Sequence, residues 1–133
     1  KKNGINVSAS FVIGLPEENQ ESVQKTVEIA KKVTPYRAQF VISTPYPGTK
    51  LYDEMKADGL LLIDYDFSGY DAYCVANPPM IKTRYMSPKD LLRAQKHAYR
   101  KFYLRPSSLI NIIFSLKSFS QLLNIIKSIK YLK

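Results

Sequence analysis

Cysteine is nearly absent from this 133-residue chain: Cys74 stands alone, with one histidine and no tryptophan. A single thiol excludes an internal disulfide and suits a reducing compartment. It also excludes a cysteine-built metal site within the chain. No apolar run approaches the roughly 20 residues that span a bilayer. Acid is missing from one region only. Residues 1–90 hold 11 Lys/Arg and 11 Asp/Glu, whereas residues 91–133 hold 9 Lys/Arg and no acid. The whole net charge of +9 therefore lies in the last third. Such asymmetry fits an anionic partner for the tail, or an acidic surface elsewhere in a larger protein. The length suits one domain or part of one; a full barrel needs roughly 200 residues or more. Lys1-Lys2-Asn3-Gly4 reads as the end of a helix with Gly4 as its stop. The expectation is a segment of a longer protein.

What is present is a strand–helix–strand pattern. Ile5–Ile13 reads as a strand, apolar on both faces at Phe11-Val12-Ile13. Gly14-Leu15-Pro16 ends it. Asn19 can cap a helix whose Val23, Val27, Ala30 and Val33 form one stripe, and Pro35 closes it. Ala38–Ser43 is the second strand. The repeat from Gly14 to Thr44 is 30 residues, a normal βαβ length. Thr49 can cap a helix from Lys50 to Asp58, with Leu51 and Met55 inward and Gly59 as its stop. Residues 60–86 form a long loop with Tyr65, Phe67, Tyr70, Tyr73 and Tyr85, and room for one short edge strand. Ser87-Pro88-Lys89-Asp90 starts a helix to about Tyr103, with Leu91, Ala94, Gln95, Ala98 and Phe102 on one stripe. Arg105-Pro106 breaks it. Ser107 can cap a helix over residues 108–116, and another covers about 118–131.

Both strands of a βαβ unit end at one face, and in parallel α/β folds ligands bind there. Gly14 removes a side chain at the first strand end, and Pro16 fixes the chain direction beyond it. Pro45, Pro47 and Gly48 make a stiff turn that holds Tyr46 in a defined direction. That turn could wall a flat apolar group such as an adenine. The plain alternative is two ordinary tight loops. Cys74 reads as a small apolar residue and His97 as a surface residue between Lys96 and Ala98. Asp53, Glu54, Asp58 and the acids from Asp64 to Asp71 show no paired acid/base spacing.

Two runs carry a resemblance: Phe11-Val12-Ile13-Gly14-Leu15-Pro16, and Thr44-Pro45-Tyr46-Pro47-Gly48-Thr49-Lys50-Leu51-Tyr52. With Tyr65-Asp66-Phe67 and the stretch from Leu91 to Pro106, they resemble the C-terminal part of radical S-adenosylmethionine (SAM) enzymes, in the cobalamin-binding branch. The resemblance covers about residues 3–106. It implies an α/β fold, the C-terminal portion of a partial (β/α)6 TIM-like barrel, followed by an α-helical tail. Residues 1–60 would supply barrel strands five and six, 61–106 an aromatic loop and closing helix, and 107–133 a basic amphipathic tail. The family's Gly-x-Ile-x-Gly-x-x-Glu pattern beside the SAM adenine falls here on Ser10, Val12, Gly14 and Glu17. Gly14 and Glu17 match, Val12 is a mild change, and Ser10 replaces a glycine. By resemblance, Val12, Ile13, Gly14, Leu15, Pro16, Glu17, Thr44, Pro45, Tyr46 and Pro47 bind SAM.

The resemblance also implies what this chain lacks. The family's cluster-binding Cys-x3-Cys-x2-Cys motif is absent, and thiolates are the ligands a [4Fe-4S] cluster needs. The cluster, and cobalamin where it is used, belong to sequence outside this chain. No catalytic residue and no metal ligand is assigned here. The expected function is part of a methyltransferase- or cyclase-type enzyme acting on a tetrapyrrole-like, lipid or other small molecule. The chain alone is expected to be inactive, of marginal stability with both sheet edges open, and partnered by the N-terminal part of the same protein.

A different class of reading remains: a small α/β interaction module whose tail docks on a membrane or a protein. Leu122, Ile126 and Ile129 share a face there, flanked by Leu123, Ile125 and Leu132, with Lys127, Lys130 and Lys133 nearby. The same helix can instead pack on other parts of the protein with its lysines in solvent. Nucleic acid is not expected, because the tail lacks arginines interleaved with aromatics. The expected location is cytoplasmic, with peripheral membrane contact through the tail.

Overall fold

β-branched and aromatic runs separated by capped helical stripes alternate strand with helix in the computed structural model, which describes residue 5 and residues 7–62 and 79–106. β1 (Ser8–Ile13) is followed by α1 (Gln20–Val33), β2 (Arg37–Ile42), α2 (Lys50–Ala57) and α3 (Pro88–Tyr103). The strands pair in parallel, from Ser8 opposite Arg37 to Ile13 opposite Ile42. The described residues are thus α/β, with two parallel strands and three helices. Tyr65, Phe67, Tyr70, Tyr73, Cys74, the acids from Asp64 to Asp71, and both expected tail helices lie outside them.

The helix starts follow from their capping residues. Asn19 accepts the Ser22 N–H at 3.0 Å, while the Ser22 hydroxyl accepts the Asn19 N–H at 3.0 Å. Ser87 and Asp90 exchange the same pair of bonds at the start of α3, with Pro88 next to the cap. The Ser87 hydroxyl and N–H both donate to the Asp90 carboxylate and hold its pKa below the usual carboxylate value. The α3 stripe of Leu91, Ala94, Gln95, Ala98 and Phe102 is buried throughout.

α1 packs over β1, and α3 packs over β2 and against α1. Ile13, Ala38, Phe40 and Ile42 fill the space between sheet and helices. Phe40 is its centre. Its ring stacks on Phe11 at 5.4 Å and meets the Tyr99 and Phe102 rings edge-on at 5.3 and 6.1 Å.

The other face of the sheet carries Ser10, Val12, Gln39 and Val41, by strand alternation. No helix among the described residues covers it. Val12 is 46% exposed, and Ser10 Oγ donates to Gln39 Oε1 at 3.1 Å. β1 is therefore covered on one face, where the sequence reads as apolar on both. Two further differences lie at element ends. Val33 is exposed: it is the last residue of α1, which Thr34 closes in the left-handed region, and no described element covers it there. β1 begins at Ser8: Ile5 and Val7 lie outside the strand, although the Val7 carbonyl already accepts the Tyr36 N–H at 2.9 Å.

The outer edge of β2 is closed, not open. Tyr103 Oη accepts the Ala38 N–H at 3.1 Å and donates to the Ala38 carbonyl at 2.8 Å. Tyr99 Oη accepts the Phe40 N–H at 3.1 Å, and Gln95 Nε2 donates to the Phe40 carbonyl at 2.9 Å. Thr44 Oγ1 donates to the Ile42 carbonyl at 3.2 Å. Side chains at i, i+4 and i+8 of α3 thus take the hydrogen bonds a neighbouring strand would make. Burial raises the Tyr103 phenol above its ordinary pKa, so it stays neutral and able to donate.

Candidate ligand face at the strand ends

The last strand pair, Ile13 and Ile42, delivers two loops side by side. The Ser43 N–H donates to the Ile13 carbonyl at 2.7 Å and ties them at their roots. In the first loop Gly14 has φ +97°, a conformation L side chains rarely adopt. A Cβ there would stand 3.1 Å from Ile81 Cδ1 and 3.6 Å from both Ile42 Cγ2 and Leu91 Cδ2. The missing side chain therefore faces the core. The glycine is required by backbone conformation and by packing under Ile81, rather than by a ligand approaching from that side.

The adjacent glutamates do different things. The Glu18 carboxylate accepts the Gly14 N–H, and the Leu15 N–H at 3.4 Å, while the Glu18 N–H closes a turn onto the Leu15 carbonyl at 2.9 Å. Glu17 turns outward to the Arg84 guanidinium at 2.6 Å. Arg84 also reaches Asp58 at 2.7 Å, and its N–H donates to the Pro16 carbonyl at 3.0 Å. Buried Thr83 donates to the Glu18 carbonyl at 2.8 Å and accepts the Met86 N–H at 2.9 Å. The segment before α3 therefore braces the first loop. Glu18, Thr83 and Arg84 are contributors that the sequence reading missed. A polar Thr-Arg pair just ahead of the α3 cap was the available signal.

In the second loop, Tyr46-Pro47-Gly48-Thr49 makes a tight turn. Gly48 has φ +83°, and the Thr49 N–H and hydroxyl both donate to the Tyr46 carbonyl, at 3.1 and 2.7 Å. Thr49 then caps α2 by accepting the Tyr52 N–H at 3.3 Å. In α2, Met55 is buried as expected, but Tyr52 is buried too and Leu51 only partly. The loop is stiff, and it leaves Tyr46 54% exposed.

The ten residues named from sequence fall into two groups. Val12, Leu15, Glu17 and Tyr46 are exposed, with Pro16, Thr44 and Pro47 half-buried. Ile13, Gly14 and Pro45 are buried. His97 is exposed. Among the described residues no three His, Cys, Asp or Glu side chains form a group that could hold a metal ion. Nor is any described helix long and apolar enough to cross a membrane.

Known proteins resemble this chain in sequence. The chain is 40% identical over 86% of its length to an uncharacterized methyltransferase of Pyrococcus horikoshii, whose own length it covers to 24%. It is 29% identical over 82% of its length to an anaerobic magnesium-protoporphyrin IX monomethyl ester cyclase of Rubrivivax gelatinosus, covering 18% of that protein. It is 26% identical over 87% of its length to a bacteriochlorophyllide d C-8(2)-methyltransferase of Chlorobaculum tepidum, covering 27% of it. No family model matches the chain. The chain spans about a quarter or less of the length of these curated relatives.

Proposed function

We propose that this chain is the C-terminal barrel segment of a radical SAM enzyme of methyltransferase or cyclase type, with a tetrapyrrole-like or lipid substrate. The observation that carries the proposal is the similarity across most of the chain to two methyltransferases and a cyclase. In this reading β1 and β2 are barrel strands five and six within residues 1–60. Residues 61–106 shape the substrate cavity and close the barrel, and 107–133 form a basic tail that contacts a membrane or the rest of the protein.

SAM would lie against the helix-free face and the strand ends. Val12 and Tyr46 offer exposed apolar surface there, and Leu15, Thr44 and Pro47 frame it. Ile13, Gly14 and Pro45 hold that wall in shape, Pro16 directs the first loop, and Glu17 with Arg84 fixes its outer side. Bound SAM supplies the carbon group or radical that the reaction needs. The residues here do not fit a [4Fe-4S] cluster, because Cys74 is the only thiol. Cluster and cobalamin ligands belong to the remainder of the longer polypeptide.

The test is reductive SAM cleavage under anaerobic conditions. The longer polypeptide, reconstituted with iron and sulfide, is expected to cleave SAM, and the 133-residue chain to give none. Cleavage by the short chain, or a longer polypeptide with neither iron–sulfur absorption nor SAM cleavage, would overturn the proposal.

A further inference from the structure

Helix faces turned to solvent ordinarily mix both signs of charge. α1 does so: Lys25 meets Glu21 at 2.7 Å, and Lys31 meets Glu28 at 2.7 Å. α3 does not. Its buried stripe runs through Leu91, Ala94, Gln95, Ala98 and Phe102. At about 100° per residue, the line opposite that stripe carries Lys89, Arg93, Lys96 and Arg100, spaced i, i+4, i+7 and i+11. All four are exposed. Asp90 is the one acid of this helix, and it is held by the Ser87 cap and by the Arg93 guanidinium at 3.3 Å. Lys89, Lys96 and Arg100 meet no carboxylate among the described residues.

The row has basic and apolar continuations. Arg37, exposed at the start of β2, lies within electrostatic reach of the Tyr103 phenol near the end of α3. Leu104, one turn beyond Arg100, is 49% exposed. Residues 107–133 follow, rich in Leu, Ile and Phe, with Lys117, Lys127, Lys130 and Lys133 and no acid.

We infer that the outward face of α3 docks on an anionic lipid bilayer, met along Lys89, Arg93, Lys96 and Arg100. This concerns a described helix, is additional to the contact proposed for the tail, and does not depend on SAM. Three observations select a bilayer. The row is straight and spans roughly 16 Å from Lys89 to Arg100 at the helical rise, so its members can touch a plane together, whereas a small anion would use one or two of them. Its charge is of one sign, complementary to anionic head groups. It leads into exposed Leu104 and an apolar, basic, acid-free stretch, the composition that enters the boundary between head groups and acyl chains. A nucleic acid is the poorer fit, because the exposed residues of α3 include no Phe, Tyr or Trp on which a base could stack. α1 and α3 lie on one side of the sheet, and exposed Val12 lies on the other. Docking through α3 therefore leaves the helix-free face turned away from the bilayer.

Co-sedimentation of the longer polypeptide with vesicles tests the inference. Binding is expected to phosphatidylcholine vesicles that contain one third phosphatidylglycerol, and not to phosphatidylcholine alone. It should weaken as salt is raised, because screening shortens the reach of exposed charges. Lys96→Gln with Arg100→Gln should weaken it roughly 30-fold, the effect of removing two cations near an anionic surface. Both side chains are exposed, so the urea midpoint of this variant should match the wild type. Vesicle binding that the α3 variant leaves unchanged would overturn the inference, and loss in Lys127→Gln with Lys130→Gln alone would then assign the contact to the tail. Absence of binding to the anionic vesicles, or equal binding to neutral ones, would overturn it too. So would binding of a DNA or RNA oligonucleotide in place of vesicles, which would assign the row to nucleic acid. Docking without SAM cleavage overturns the proposed function and leaves the α3 surface standing; cleavage without docking does the reverse.

Discussion

Phe40→Ala is expected to destabilise the chain by about 4 kcal/mol, the usual cost of emptying a fully buried phenylalanine site. Phe40 is 0% exposed, and three rings lean on it. Phe11, Tyr99 and Phe102 come from β1 and α3, so no single element can move to fill the void. The loss is a large share of the roughly 5–15 kcal/mol by which domains are stable. Phe40 also carries the carbonyl held by Gln95 and the N–H held by Tyr99. The cavity therefore loosens the closed sheet edge as well. Urea unfolding followed by circular dichroism measures it. Val41→Ala, one residue on and facing the helix-free side, should cost only about 1 kcal/mol, because Val41 is partly buried where Phe40 is fully buried. Equal losses at both positions would mean that the two faces of the sheet are buried alike.

Gly14→Ala should cost about 3 kcal/mol, in two parts. Forcing a Cβ into φ +97° costs on the order of 1–3 kcal/mol. The new methyl then presses on Ile81 Cδ1 at 3.1 Å, a crowding that the flexible end of Ile81 relieves only in part. Gly48→Ala separates the parts. Its φ is +83°, with nothing within 4 Å of the added Cβ, so only the backbone cost remains. The same urea experiment on both variants should find Gly14→Ala the more damaging. Equal effects would show that Ile81 yields freely and that Gly14 is held by conformation alone.

These residues also show how much of the molecule could be read from sequence. Asn19, Thr49 and Ser87-Pro88-Asp90 announce helix starts, because capping is a local bargain between a side chain and the nearest N–H groups. The stripe from Leu91 to Phe102 announces a buried face for the same local reason. The closed edge of β2 was hidden. Gln95 lies on that stripe and Tyr99 and Tyr103 follow it at i+4 and i+8, and helical periodicity does not mark their polar tips as substitutes for a strand. The strand-end loops were half legible. Gly14 marks the turn correctly, but the reason for it lies 67 residues away at Ile81. Which of the neighbouring carboxylates turns inward depends on a single peptide orientation, and composition does not record that. Val12 and Val33 looked like core because apolar periodicity reports which surfaces prefer burial. It does not report whether the covering layer is within the same stretch of chain.

That last point bears on the site. Val12, Leu15 and Tyr46 are the exposed large apolar residues at the strand ends and on the helix-free face, and SAM is the proposed cover at Val12. Equilibrium binding of SAM to the longer polypeptide, wild type against Val12→Asp, tests this most directly. Val12 is 46% exposed in the chain, so the change should leave folding and iron content intact. A carboxylate set against the adenine should weaken SAM binding tenfold or more, about 1.4 kcal/mol. Unchanged affinity in a folded, iron-loaded Val12→Asp protein would contradict the placement of SAM on this wall.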